Sequence, residues 1–192
     1  MTRVSGQRCS GGRRSRLSGP RPLLGVLAAG VCLASLGAGG LDPARAASGH
    51  FRDPDDRVGL DIRKVHVRYG DNLVVRVEHD GRLRAGQVYR FWVDTDSSDP
   101  GPEYYYGFRP NSDGQRLRSV DDFGVSGDPV ACDGDRGWAD FLKPFSDVKA
   151  SLPATCLGEP ARVRVSVRFG DDDGTGDWAP RVRAFYSWVD RY

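Results

Sequence analysis

The stretch Ala161–Phe169, ARVRVSVRF, sets Val163, Val165, Val167 and Phe169 on one parity and Arg162, Arg164, Ser166 and Arg168 on the other. Successive side chains of a β-strand point to opposite faces, so this alternation marks a strand with one buried and one wet face. The rhythm extends outward from there. NLVVRVEH (72–79) keeps Leu73, Val75 and Val77 in one register, and QVYRFWVD (87–94) does the same with Tyr89, Phe91 and Val93. LDIRKVHVRY (60–69) begins in phase at Leu60 and Ile62, then continues out of phase at Val65, Val67 and Tyr69. A β-bulge near Arg63–Lys64 would restore a common face.

Turn chemistry punctuates these runs at YGDN (69–72), HDGR (79–82), PNSDGQ (110–115) and FGDDDGTGD (169–177). Gly supplies positive φ there, and Asn or Asp bonds back to its own backbone. No sustained helical stripe competes, although WADFLKPF (138–145) would fit one turn of helix before Pro144. Many short strands at regular spacing predict an all-β fold. The expected form is a single antiparallel β-sandwich, jelly-roll-like, over residues 58–192.

The first 46 residues read differently. A basic segment with six arginines up to Arg21 precedes the apolar run Leu23–Ala38, and Ala44 and Ala46 occupy small-residue positions before a cleavage point. This is the pattern of an export signal, so residues 1–46 are expected to be removed and the protein to be secreted, with no membrane span left after cleavage. Residues 47–57 are then expected to be a flexible mature N-terminus. Of 28 basic and 26 acidic residues, the leader holds seven and one, which leaves 21 against 25 and a net charge of −4. The basic balance of the whole chain thus belongs to the leader, and nucleic acid is not an expected partner.

Cys9 and Cys32 leave with the leader, and Cys132 and Cys156 remain. In an oxidising compartment these two have one pairing. A loop of about 25 residues closed this way stabilises a fold by roughly 3–4 kcal/mol.

Two groups of carboxylates have spacings that suit calcium, which takes six to eight oxygens. One is Asp94, Asp96 and Asp99 with Glu103, in VDTDSSDPGPE; the other is Asp171, Asp173 and Asp177 in the Gly-rich loop. Salt bridges to the many arginines account equally well for the first group, and the turn chemistry of an Asp- and Gly-rich hairpin tip accounts better than calcium for the second. In EYYYGF, Tyr104 and Tyr106 share one face and Tyr105 takes the other. With Trp178 they are the candidates for stacking on a sugar ring, and core packing is the competing role of each. Trp138 and Trp188 could extend such a surface. No HExxH, nucleophile elbow, zinc-type Cys/His spacing or phosphate loop occurs, so no catalytic residue and no nucleotide are assigned. A carboxylate-pair hydrolase leaves no local signature and stays as an alternative.

The segments DPDDRVGLDIRKVHVRYGDNLVVRV, VDTDSSDPGPEY, ATCLGEPARVRVSV and DWAPRVRAFYSWV together span most of residues 53–190. In them the chain resembles a group of exported actinobacterial proteins of unassigned function. In the order of its strands it is similar, more loosely, to the β-sandwiches of family 9 carbohydrate-binding modules and of DOMON domains. That resemblance implies a sugar- or haem-binding sandwich that often holds calcium, with Asp94, Asp96 and Glu103 at a structural or ligand-facing position. Haem is disfavoured, because Met1 is the sole methionine and no Met/His axial pair can form. The expectation is a secreted, non-catalytic binding module for a carbohydrate or cell-envelope polymer. The alternative is an exported protein-interaction or envelope-structural protein.

Overall fold

The computed structural model describes residues 47–54, 60–81, 86–110, 114, 116–139, 145–172 and 175–192. Among them run twelve strands. These are β1 (Ser48–Arg52), β2 (Asp61–Tyr69), β3 (Asn72–Asp80), β4 (Val88–Asp94), β5 (Tyr104–Phe108) and β6 (Arg116–Ser119), followed by β7 (Asp128–Pro129), β8 (Arg136–Ala139), β9 (Phe145–Pro153), β10 (Arg162–Gly170), β11 (Gly176–Ala179) and β12 (Val189–Asp190). The first sheet has the order β1-β2-β3-β9-β8; the second has β11-β10-β4-β5-β6-β7, with β12 also paired to β10. Every pairing is antiparallel. The chain is a β-sandwich, as the alternation predicts.

The alternation also predicts which faces meet. Val65, Val67 and Tyr69 of β2, Leu73, Val75 and Val77 of β3, and Val148, Ala150 and Leu152 of β9 face Tyr89, Phe91 and Val93 of β4 and the Val163–Phe169 parity of β10 in one core. All of these side chains are buried, and each valine, leucine or phenylalanine contributes roughly 1.5–3 kcal/mol if fully removed from water. The pairing of β2 with β3 shifts register between Ile62 and Lys64, so a bulge brings Ile62 onto the same face as Val65. The YGDN stretch is the β2–β3 hairpin turn, with Gly70 N–H donating to Asn72 O at 3.2 Å. On the outer face of this sheet, ion pairs such as Lys64–Glu78 at 2.9 Å and Arg76–Asp147 at 2.5 Å are solvated and contribute ~0–1 kcal/mol each.

Two expectations need correction. Residues 48–52 are not a flexible tail: they form β1, with His50 opposite His66 and Phe51 opposite Val65, and Phe51 stacks on Tyr186 at 4.4 Å. Trp138 and Ala139 are not helical but lie in β8, paired with Lys149 and Val148 of β9. The rest of that helical stretch up to Pro144, like the export signal, lies outside the described residues. Among the described residues no helix is long and apolar enough to cross a membrane.

The disulfide Cys132–Cys156 is present, with Cα atoms 5.5 Å apart. It ties the chain entering β8 to the short 3₁₀ turn Ala154–Leu157 that follows β9. That turn ends at Gly158, whose φ of 74° lies in the left-handed region that glycine adopts without strain.

His79 closes β3 inside the sandwich. It is 2 % exposed, lies edge-on to Phe169 at 5.7 Å and reaches Asp80 O with Nδ1 at 3.3 Å. Burial holds its imidazole below the ordinary 6.5, with the Asp80 contact opposing in part. The unfolded chain therefore takes up a proton at a pH where the folded chain does not. Stability should be unaffected by this group above its ordinary value and should fall as pH drops through about 6.5. Denaturation midpoints at about pH 7.5 and about pH 5 should differ in that direction, and His79→Leu should remove this part of the slope. An unchanged slope in the variant would show that the ring is not buried neutral.

Candidate functional site

Strands β10, β4, β5 and β6 carry their second parity on the outer face of the second sheet. The register sets Trp178, Arg168, Arg90, Gly107 and Arg116 across the strands as one row. Ser166, Trp92, Tyr105 and Arg118 make the next row. Arginines and aromatics thus share a face expected to be wet.

Half of this face is covered. Trp92 is 1 % exposed and stacks on Trp178 at 4.7 Å, with ring planes 12° apart. Tyr105, Val120, Phe123 and Phe185 close around them as a second apolar cluster. Residues 120–127 supply Val120 and Phe123, and residues 180–188 supply Phe185. The Trp92 indole N–H fastens the first of these segments by donating to Gly124 O at 2.9 Å. Arg118 does so again, donating to Gly127 O at 2.6 Å. At the other end, the Arg164 guanidinium lies 4.8 Å from the Phe185 ring centroid and 4.7 Å from that of Trp188. It also donates from Nε to Asp94 at 2.6 Å.

The uncovered half holds a pocket of about 250 Å³. Its polar lining is Arg90, Arg109, Arg116, Arg118, Tyr105 and Asp172. Arg90 projects from the middle of β4, and its side chain is only 7 % exposed. It donates from Nη2 to Asp172 Oδ1 at 3.0 Å, while Asp172 Oδ2 accepts from Arg109. Arg90 Nη1 is buried without a hydrogen-bond partner. A Cβ on Gly107 would lie 2.7 Å from Tyr105 Cζ, so only glycine leaves room for the ring to lie along β5 with its hydroxyl at the pocket. Burial pushes the Tyr105 phenol up, and the charges of Arg90 and Arg118 pull the other way. It stays a neutral hydroxyl, able to donate as well as accept. Such a lining is chemically matched to anions: guanidinium forks fit two-oxygen acceptors, and a partly dry wall strengthens each bond.

A larger hollow of about 580 Å³ lies between the start of β1 and the last residues of the chain, Ser187–Tyr192. Its lining includes Asp190 and Arg191 but no converging set of like charges, so the arginine pocket is the candidate site.

The sequence candidates fall as follows. Tyr106 is fully buried in the inter-sheet core, where no sugar ring can reach it. Tyr105 is 7 % exposed and offers the pocket its hydroxyl, not a free ring face. Trp178 is half-buried and gives one ring face to Trp92. Tyr104 is half-buried against the main core. Asp94 is fully buried and paired with Arg164; burial pushes its carboxyl above the usual range, against the pull of Arg164 and together with the charge of Glu103. Asp96 closes a turn by accepting from Ser98 N–H at 2.8 Å and Ser98 Oγ at 2.7 Å. Glu103 reaches back to the Thr95 N–H at 2.6 Å, and Asp99 is exposed at the tip between them. Turn bonds and one arginine therefore hold the DTDSSDPGPE segment.

Asp171 opens the β10–β11 turn, its N–H donating to Thr175 O at 3.0 Å, and Asp173 lies outside the described residues. Asp177 is 1 % exposed and accepts from Ile62 N–H at 2.7 Å. Among the described residues, no group of three or more His, Cys, Asp or Glu is placed to hold a metal ion. The alternation and spacing did not single out Arg90, Arg116 and Arg118, nor the pairing of Asp172 with Arg90 and Arg109. One signal was available: Arg90 is a lone charge inside the apolar run VYRFWV.

Comparison with protein-family models, with curated proteins and with solved structures finds no match for this chain.

Proposed function

We propose that the protein is a secreted, non-catalytic binding domain that takes a carbohydrate or cell-envelope polymer on the outer face of its second sheet. The observation that carries this reading is the arginine-lined pocket with the Tyr105 hydroxyl in its wall. The pocket is smaller than the ~300–1,000 Å³ that encloses a drug-sized ligand, so it suits one residue of a chain whose remainder lies across the rim. Stacking is replaced by hydrogen bonding from fixed donors, because the aromatics of this face are largely spent on one another.

The test is retention of the full chain on a panel of insoluble polysaccharides and cell-envelope preparations. Retention should fall at least about tenfold in the double variant Arg116→Glu/Arg118→Glu, since each change replaces a donor with a like charge. Arg116 is exposed and its change should leave the unfolding midpoint unchanged, whereas Arg118→Glu also releases Gly127 O, so retention is compared at equal folded fraction. A chain retained by none of these polymers would end the proposal.

A second reading, an exported protein-interaction domain, draws on Trp138. This residue is 55 % exposed on β8, an edge strand of the first sheet. Edge strands accept an added strand from a partner. Capture of one envelope protein that is lost in Trp138→Ala would favour this reading.

A further inference from the structure

The pocket makes a narrower demand than a polymer in general. Four arginines line it among the described residues, against one aspartate. Two of them, Arg116 and Arg118, have no carboxylate within ion-pair distance among the described residues, and Arg118 spends one nitrogen on Gly127 O. Arg90 is fixed by burial at the centre of β4 and holds an unpaired Nη1. A buried donor without an acceptor is unfavourable, so an incoming acceptor gains from satisfying it. Among the described residues, the anion against these guanidinium groups is a carboxylate: Asp172 gives one oxygen to Arg90 and the other to Arg109. Yet Asp172 is loosely held. It sits in the β10–β11 turn with its side chain 58 % exposed, where an ion pair is screened and weak.

We infer that the pocket is a carboxylate subsite, which takes the carboxylate of an acidic sugar residue within the polymer and which Asp172 occupies as an internal competitor until the ligand displaces it. This inference rests on the polymer-binding reading above and adds the ligand's charge and the residue that competes with it. Arg90 and Arg109 would pass from the Asp172 oxygens to those of the ligand. Arg116 would contribute a charge with no ion-pair partner among the described residues to give up. The Tyr105 hydroxyl would meet a sugar hydroxyl beside the carboxylate.

The test is a titration of the full chain, at low salt, with an oligogalacturonate, its methyl ester, monomeric galacturonate and inorganic phosphate. The oligogalacturonate should bind at least about tenfold more tightly than its ester, because the ester cannot accept charge-assisted bonds at both oxygens. Asp172→Asn should tighten binding by about threefold to tenfold, since it removes the competitor and keeps the turn. Arg116→Gln should weaken binding by at least about threefold, and as an exposed position it should leave the unfolding midpoint unchanged.

Equal affinity for acid and ester, or an Asp172→Asn variant that binds no better, would overturn the subsite. Retention of neutral polymers that falls in Arg116→Glu/Arg118→Glu but does not respond to Asp172→Asn would also overturn it while leaving the polymer reading in place. Monomeric galacturonate that binds and responds to both variants, with no polymer retained, would uphold the subsite and overturn the polymer reading. Phosphate binding tighter than the uronates at this pocket would overturn the assignment to a carboxylate.

Discussion

Trp92→Ala should lower the stability of the folded chain by about 3–5 kcal/mol, the range for removing a fully buried large aromatic. Trp92 looks like a surface position, since its β4 neighbours Phe91 and Val93 fill the inter-sheet core and it points the other way. Its burial is nonetheless 1 % exposed, against Trp178, Tyr105 and Phe123. Truncation would open a void under residues 120–127 and release the Gly124 carbonyl from its indole donor. Urea denaturation of the variant and its parent measures the loss. A cost below about 1 kcal/mol would mean that the cover collapses onto the sheet freely and that the outer cluster is no second core. Tyr105→Ala should be costly for the same reason, so weakened ligand retention in that variant reports on binding only when the folded fraction is measured beside it.

Cys132→Ser/Cys156→Ser should cost about 3 kcal/mol. The bridge closes a loop spanning a sequence separation of 24, and that loop contains all of β8 and β9. In the unfolded chain the bridge removes the freedom of this loop; in the folded chain it fixes the approach to an edge strand only four residues long. Thermal unfolding of the parent with and without reductant, beside the double variant, gives the number. The reduced parent and the variant should agree. A variant as stable as the oxidised parent would show that β8 is held by its pairing to β9 alone.

What could be read in the sequence followed from local repetition. The inward parity of β3, β4 and β10 and the bulge in β2 are period-two signals, and the core obeys them. β1 escaped because SGHFR is short, contains glycine and offers no alternation; only its pairing with β2 makes it a strand. The acidic stretch after β4 was ambiguous for a different reason. The partner that settles Asp94 is Arg164, seventy residues away in sequence. The arginine pocket was hidden in the same way: Arg90 and Asp172 are 82 positions apart, and Arg116 and Arg118 join them only through strand register. The aromatic residues misled in their own fashion. The alternation set Tyr105 on the face opposite Tyr104 and Tyr106, but nothing local showed which face is the outer one, or that residues 120–127 and 180–188 fold over Tyr105 and Trp178.

Strand β4 is buried at all seven of its positions, Val88 through Asp94, because sheet and core close one side while the aromatic cover and the arginine pocket close the other. It is therefore the part of the molecule least open to change. β3 alternates buried residues with solvated ones such as Arg76, where a label, a charge or a new side chain would be absorbed by water. In β4 no such position exists. Drift in sequence, or a deliberate change to this face, must reach it through its borders, at Arg109, Arg116 and the turn that carries Asp172, while the strand beneath stays as it is.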